Sequence, residues 1–477
     1  MTLVWKAEEV VRAVRGQSVY EQSWTASGVS IDSRTTRPGD IFVAIKGPDK
    51  DAHDFVAAAF AAGATAAVVG RAPAQVPGKA PLIFVEDTFA ALQDLGRVGR
   101  QRAKTTIVAV TGSVGKTGTK EQLRVILEAC GDTHANEGSL NNHWGVPLTL
   151  ARLPADARFG IVEIGMNHAG ELGPLSREVQ PHISLITNIE AAHMEFFPSL
   201  EAIADAKAEI FLGMNAEGTA VLNRDNPQFA RLLAAARTQG LKRILGFGRN
   251  PKSEARLVAC KADEKGSTID AVILDQKIRY RIGTPGEHIA FNSLGALLAA
   301  AAAGADPEIG AEALANFIPP QGRGTRQTIR TKDGGSFTLI DESYNASPAA
   351  MRAAFKVLKQ TQPGKNGRRI AVLGDMRELG NAAPKLHVDL APDVMEAEID
   401  TVHCCGEMMA CLYETLPAAK RGQKTRESKE MAALVGPSVR DGDVVMIKGS
   451  HGVHMEHIVE SLKALDNAPP SPHKLAS

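Results

Sequence analysis

The chain has no surplus of charge. Lys+Arg and Asp+Glu both number 54, so the formal net charge is zero. There is no basic excess of the kind that nucleic acid or an anionic membrane would call for. Cysteine is scarce. The five are Cys130, Cys260, Cys404, Cys405 and Cys411, an odd number without regular spacing, which argues against a disulfide framework. The pair after His403 in "IDTVHCCG" has no second cysteine pair nearby. It reads as a buried strand ending in a glycine turn, with the thiols as small core hydrophobes. No uninterrupted apolar run reaches the roughly 20 residues of a membrane span; the Ala-rich "LGALLAAAAAG" is too short. The start, "MTLVWKAEEVVRAV", places acidic residues in a short amphipathic pattern, unlike a secretory signal. A cytoplasmic protein with no membrane or nucleic-acid partner is the expectation. Internal repeats are also missing.

What is present fits a multidomain globular chain. At 477 residues it is long enough for roughly three domains of about 150 residues. Hydrophobic residues are 44% and charged residues 23%, ordinary values for such a protein.

The first hundred residues read as a small α/β unit. "GVSIDSRTTRPGDIFVAIKG" predicts two short strands around a Pro-Gly turn. "DFVAAAFAAGATAAVVG" predicts a helix, a glycine stop and a strand. "PLIFVED" and "TFAALQDLGRVGRQRA" add a strand and a helix. From Thr105 strands and helices alternate as in a parallel sheet, with strands at "TTIVAVTG", "FGIVEIGM", "ISLITNI" and "GTAVLN". The alternating "STIDAVILDQKIRYRI" predicts antiparallel strands, and "FNSLGALLAAAAAG" a buried helix. "IPPQGRG" marks a linker. Beyond it, "SFTLIDESY", "RRIAVLGDM", "IDTVHCCG" and "DVVMIKGS" predict a Rossmann-like sheet, and "DNAPPSPHKLAS" a disordered tail. The expected fold is therefore α/β in three domains: 1–103, a central phosphate-loop domain 104–320, and a Rossmann-like domain 321–477.

The strongest chemical signal is "VTGSVGKTGTKE". Gly112 and Gly115 lie just before Lys116-Thr117, between an apolar β-branched run and a helical run. Strand, glycine loop, lysine and helix together make a phosphate cradle: backbone N–H groups face the anion and the lysine adds charge. The full Walker pattern has a glycine six residues before the lysine. Here Val110 stands there, so the loop, Gly112, Ser113, Val114, Gly115, Lys116, Thr117 and Gly118, is a shorter variant.

In an open parallel sheet the ligand sits beyond the carboxyl ends of the strands. Glu163 ends "FGIVEIG", Asn188 ends "ISLITN", and His193 follows. Magnesium takes hard oxygen ligands together with nucleotide phosphates. Thr117 is the expected hydroxyl ligand and Glu163 the best carboxylate. Against these stand plainer readings: Glu163 as a strand-end charge facing water, His193 as a capping or core histidine, and Lys207 as a solvated lysine on a helix face.

Eight stretches in this order resemble a known family: "TGSVGKTGTKE", "NEGSLNNHWGVPLTL", "VEIGMNHAGELG", "TNIEAAHMEFFPSLEAIADAKAEIF", "GEHIAFNSLGA", "IDESYNASPAAM", "AVLGDMRELG" and "VMIKGS". They are similar to the ATP-dependent Mur ligases of peptidoglycan synthesis. "SIDSRTTRPGDIFVAIKGPDKDAHDF" is similar to the UDP-substrate domain of members acting late in that series. The resemblance runs from about Gly28 to Met455. It implies a bacterial cytoplasmic ligase, a monomer, that uses ATP and two magnesium ions. The implied partners are UDP-N-acetylmuramoyl-tripeptide and D-alanyl-D-alanine, joined through an acyl phosphate. It implies that His193 helps hold a second magnesium, with Thr117, Glu163 and a carbamylated Lys207 as the other metal-supporting groups. A carbamate forms only on a neutral amine, so Lys207 needs a lowered pKa. Catalytic roles are implied for Lys116, Glu163, His193 and Lys207. Asn292 is implied to meet the adenine, with Arg326 and Asp341 closing over the nucleotide; "QGRGTRQ" also offers Arg323, and family spacing favours Arg326. Substrate contacts are implied for Ser33, Arg34, Asn141, Asn142, Asn345 and Lys448.

The sequence departs from the commoner pattern at Gly118, where many members have Thr or Ser, at Ala52 in "DAHDF", and at His451, where arginine is usual. The ligase adding the third amino acid is expected to carry "DNPR" in its third domain. The near match here, "RDNPQ" (Arg224 to Gln228), lies in the central one. A folate polyglutamylating ligase would lack the "DSRTTRPGDIFVAIKG" domain. A phosphate-loop NTPase acting as a regulatory switch is the reading from outside the ligase class.

Overall fold

The computed structural model describes residues 4–19, 23–76, 78–191, 194–263 and 265–466. His193 and the tail expected to be disordered, from residue 467 on, lie outside the described residues. Three larger sheets organise the chain, and the α/β expectation holds in each.

In the first sheet, Gly28–Ser30, Asp40–Val43, Ala66–Val69 and Leu82–Phe84 run parallel in that order, with Gln17–Ser18 antiparallel on the far edge. The helix Thr88–Arg102 starts where the Asp87 carboxylate accepts from the N–H groups of Phe89 and Ala90, satisfying two of the helix's free donors. Its Gly96 and Gly99 press on the next unit: a β-carbon would stand 2.8 Å from Pro147 O and 2.2 Å from Leu150 O. Leu148 and Ala151 belong to the same apolar cluster as Trp5, Val10 and Ile83, and the Trp5 indole N–H donates to Ala151 O at 3.0 Å. The first unit thus completes its core with the helix Gly145–Ala151.

The central sheet has nine strands, in the order Gln276–Ile282, Gly266–Ile273, Ala255–Asp263, Arg243–Gly248, Thr219–Asn223, Ile183–Ile186, Thr106–Thr111, Phe159–Glu163, Thr133–Ala135. The first three pair antiparallel with one another and the rest pair parallel. The helix Glu287–Ala302 is buried along most of its length, as a helix apolar all round must be. Thr106–Thr111 sits between Phe159–Glu163 and Ile183–Ile186, with Glu163 opposite Val110 and Ile186 opposite Thr111. Three adjacent strand ends therefore deliver the glycine loop, Glu163 and Asn188 side by side.

The third sheet runs Thr325–Arg330, Ser336–Glu342, Val444–Lys448, Arg369–Gly374, Thr401–Cys405, Arg421–Thr425. Only the first pair is antiparallel. The two edge strands escape a reading by hydrophobicity because "TRQTIR" and "RGQKT" are polar and half-exposed. Cys404 and Cys405 are buried in clusters on opposite faces of the sheet, as successive residues of a strand must be. The linker is pinned to this sheet: Gly322 N–H donates to Asp341 Oδ2 at 3.2 Å and Gly324 N–H to Asp341 O at 2.8 Å. Both glycines have positive φ, 75° and 101°, which other residues rarely adopt.

Candidate active site

The site grows from the end of Thr106–Thr111. Gly112 and Gly115 take φ of 149° and 83° and allow close packing. A β-carbon on Gly112 would stand 2.0 Å from Thr187 Oγ1, and one on Gly115 2.7 Å from Asn292 Nδ2. The loop is held from behind. Ser113 N–H donates to Asn188 O at 2.8 Å, Thr187 Oγ1 to Val114 O at 2.6 Å, and Glu190 N–H to Ser113 Oγ at 3.1 Å. The helix Lys116–Glu128 begins directly at Gly115, so its free N–H groups join the loop's as anion donors. Lys116 Nζ donates back to Gly112 O at 2.9 Å. Burial pushes the Lys116 ammonium below its ordinary pKa and Arg323 adds to that, while Glu163 opposes it.

Glu163 is fully buried. Its Oε1 accepts from Thr117 Oγ1 at 3.1 Å and Asn141 Nδ2 at 2.6 Å. Its Oε2 is buried with no hydrogen-bond partner among the described residues. A buried carboxylate oxygen without a donor is costly, and a hard cation between it and the Thr117 hydroxyl would satisfy it. The solvent-facing reading of Glu163 does not hold.

Nor is Lys207 solvated. It lies on Leu200–Ala208, a helix capped by Ser199, and is 1% exposed. Its pKa is driven well below the lysine range, first by burial and then by the charge of Lys116.

A cavity of ≈ 1010 Å³ joins the central and third sheets. Lys116, Thr117, Glu163, Asn141 and Asn292 line its central side. Gly118 opens onto it, with nothing within 4 Å of where a β-carbon would stand. Asn345, Lys448, Arg323 and Tyr344 line the opposite side. Lys448 Nζ, nearly buried, donates to Glu342 Oε2 at 3.0 Å and Asn345 O at 3.1 Å. The ring of Tyr344 carries the Arg323 guanidinium 4.0 Å from its centroid and stacks on His451 at 5.3 Å. Its hydroxyl hydrogen-bonds Ser139 Oγ, across the divide between the two sheets.

Other expected residues lie elsewhere. Arg326 is not part of the cavity lining and donates to Thr361 Oγ1 at 3.0 Å, leaving Arg323 as the arginine of that pair beside the phosphate loop. Asp341 braces the linker and accepts from Ser343 N–H and Oγ at 3.1 and 2.6 Å. Asn142 Oδ1 accepts from the N–H groups of Trp144 and Gly145, at 3.1 and 2.9 Å. Ser33 and Arg34 sit in the first unit, where Arg34 forks onto Asp32. Their turn approaches the central domain through Arg37, 3.5 Å from Glu137.

Sequence reasoning passed over Lys120, Ser139, Glu190 and Tyr344. Lys120 alone left a signal: it falls at helical spacing between Lys116 and Leu123/Leu127, on the buried side.

Comparison with known proteins covers all three sheets. Residues 25–99 match the Mur ligase family catalytic domain, 110–300 the Mur ligase middle domain, and 325–451 the Mur ligase glutamate ligase domain. The UDP-N-acetylmuramoyl-tripeptide–D-alanyl-D-alanine ligase of Rickettsia prowazekii is 33% identical over 91% of this chain and 94% of its own. The Bacillus subtilis ligase of the same name is 32% identical over 95% and 96%. Among solved structures, MurF from Acinetobacter baumannii superposes with a TM-score of 0.82 at 30% identity, covering 97% of this chain and 99% of its own. MurF ligase from Thermotoga maritima in complex with ADP gives 0.75 at 26%, covering 92% and 97%. With family models matching each sheet and whole-length relatives above 30% identity, the chain belongs to the Mur ligase family.

Proposed function

We propose that the chain joins D-alanyl-D-alanine to UDP-N-acetylmuramoyl-tripeptide at the expense of ATP, releasing ADP and phosphate. The observation that carries the reading is a cavity of ≈ 1010 Å³ in which the phosphate loop faces Asn345 and Lys448. It offers room for a nucleotide and an acceptor at once. The naming of the substrates rests on the whole-length likeness to ligases of that name. The division into 1–103 for the UDP-substrate, 104–320 for ATP and 321–477 for the dipeptide is part of the same proposal.

A tripeptide carboxylate is a poor electrophile, since its leaving group would be oxide. Attack of that carboxylate on the γ-phosphoryl group makes an acyl phosphate and releases ADP. The dipeptide amine then attacks the acyl carbon, and phosphate departs through a tetrahedral intermediate. The protein's part in the first step is positioning and charge neutralisation. Lys116 and the loop N–H groups hold the phosphates, and Asn292 packs beside them. Thr117 Oγ1 and Glu163 Oε2 are the donors suited to a magnesium ion, which when bound neutralises phosphate charge. Lys207, buried with a depressed pKa, is suited to carbamylation. As a carbamate it would present an anion toward a second metal site, with His193 as a further ligand. Closure of the third domain over the cavity would keep water from the acyl phosphate. Arg326 would reach the nucleotide only by a movement of the third domain.

The test is phosphate release with ATP and UDP-N-acetylmuramoyl-tripeptide. D-Alanyl-D-alanine should support it far better than free lysine or diaminopimelate. A preference for diaminopimelate moves the chain to the neighbouring ligase, and release without either substrate supports the regulatory NTPase instead.

A further inference from the structure

Two lysines in the central domain are almost without exposure, Lys207 at 1% and Lys120 at 0%. Lys120 is absent from the cavity lining and takes no part in the chemistry above. All three of its N–H donors are used. They go to Glu121 Oε1 at 2.5 Å, Asn136 O at 2.9 Å and Gly138 O at 3.0 Å. A buried ammonium is costly unless paired and fully hydrogen-bonded. A simple apolar anchor would have held the helix to its neighbours. This one instead grips two backbone carbonyls of a loop.

That loop, residues 136–142, reaches each of the three sheets' units. Asn136 Oδ1 accepts from Glu163 N–H at 2.9 Å, and Asn141 Nδ2 donates to Glu163 Oε1 at 2.6 Å. Asn141 O accepts from Gly165 N–H at 2.8 Å. Ser139 meets Tyr344 of the third unit. Glu137 faces Arg37 of the first. Lys120 is one helical turn beyond Lys116, so its grip ties this loop to the phosphate-binding helix.

We infer that Lys120 is a positioning residue for Glu163: it fixes the loop whose Asn136 and Asn141 orient the carboxylate, so that Oε1 is occupied and Oε2 is free. The inference rests on the reading of Glu163 as a magnesium-holding group. It assigns to Lys120 control of the response to magnesium rather than of nucleotide binding itself.

The experiment compares Lys120→Met and Lys120→Arg with the wild-type full chain, by amide hydrogen exchange and by ADP binding with and without Mg²⁺. Lys120→Met should speed exchange across residues 136–142 and at the Glu163 N–H at least tenfold, with 106–111 and 159–162 at wild-type protection. ADP affinity without Mg²⁺ should stay within twofold. The Mg²⁺ concentration for half-maximal enhancement should rise at least fivefold, and Lys120→Arg should recover most of that rise. Should Lys120→Met fail to fold, Asn136→Ala removes the link to the Glu163 N–H while leaving Lys120 in place, and should give the same Mg²⁺ shift. Uniformly faster exchange across the central sheet, or an unchanged Mg²⁺ response in either variant, overturns the inference. These arms need no muramoyl substrate. A wild-type chain that failed to ligate would sink the proposed function while the Mg²⁺ shift still decided the role of Lys120.

Discussion

Thr117 Oγ1 and Glu163 Oε1 share a hydrogen bond of 3.1 Å, joining the phosphate-loop helix to the end of the neighbouring strand. The bond exists because the two strands pair in parallel with Glu163 opposite Val110. A hydroxyl and a buried carboxylate are thereby brought beside the glycine loop, where the proposed function puts the phosphates. Around this pair the other groups fall into order: Lys116 over the loop, Asn141 on the same carboxylate oxygen, and the second oxygen without a partner.

Lys116→Ala is expected to lower ligation by at least about 10³-fold, because the loop loses the cation that meets the phosphates. The fold should survive, since among the described residues the Lys116 side chain makes one hydrogen bond, to Gly112 O. Turnover beside a circular-dichroism melt separates the two effects, and wild-type turnover would falsify the phosphate-loop reading.

Lys207→Ala separates a carbamate from a bystander. As a bystander, a buried lysine with a depressed pKa can be removed with little loss of turnover. As a carbamate-bearing group its loss should cost at least about 10²-fold in kcat. Acetate should restore part of the activity by placing a carboxylate in the vacated space, while chloride need not. A fully active variant ends the carbamate proposal.

Two glycines should respond oppositely to the same change. Gly99→Ala would set a methyl 2.2 Å from Leu150 O and should cost about 1–3 kcal/mol by overpacking the junction of the first two units. Gly118→Ala faces open space within a helix and should be neutral or stabilising, by at most about 1 kcal/mol. Urea unfolding of both variants checks the contrast.

Acid stability should carry a signature of His403. Its ring Nδ1 accepts from Gln423 N–H at 3.0 Å. Burial, helped by Arg368, lowers its pKa from 6.5 to about 4. The unfolded chain takes up a proton near 6.5 while the folded one resists it. Stability from this group is therefore full above about pH 6.5 and lost as pH falls toward 4, with a slope of at most ~1.4 kcal/mol per pH unit. His403→Leu should cost about 1 kcal/mol at pH 8 through the orphaned Gln423 N–H, yet flatten the curve below pH 6.5. If the wild type and the variant keep a constant difference from pH 8 to 4.5, His403 is not the cause.

Much of this was legible in the chain itself. The glycine loop, its lysine and the strand–helix alternation are local patterns, set by backbone conformation and side-chain periodicity within a few residues. Even the neighbourhood of Glu163 and Asn188 followed from a general rule, that strand ends of a parallel sheet share one edge. The polar edge strands Thr325–Arg330 and Arg421–Thr425 did not show, because half-exposed strands carry no apolar alternation. What the tertiary structure alone decided are pairings between distant segments. It buried Lys207, brought Arg323 rather than Arg326 to the cavity, and set both Arg323 and His451 against the ring of Tyr344. It closed the first unit's core with Leu148 and Ala151, and filled the three donors of Lys120 from Glu121 and a loop more than fifteen residues on. Each depends on desolvation and on carbonyls or rings arriving from elsewhere in the chain. A single side chain's environment of that kind is a sum over neighbours the local sequence does not name.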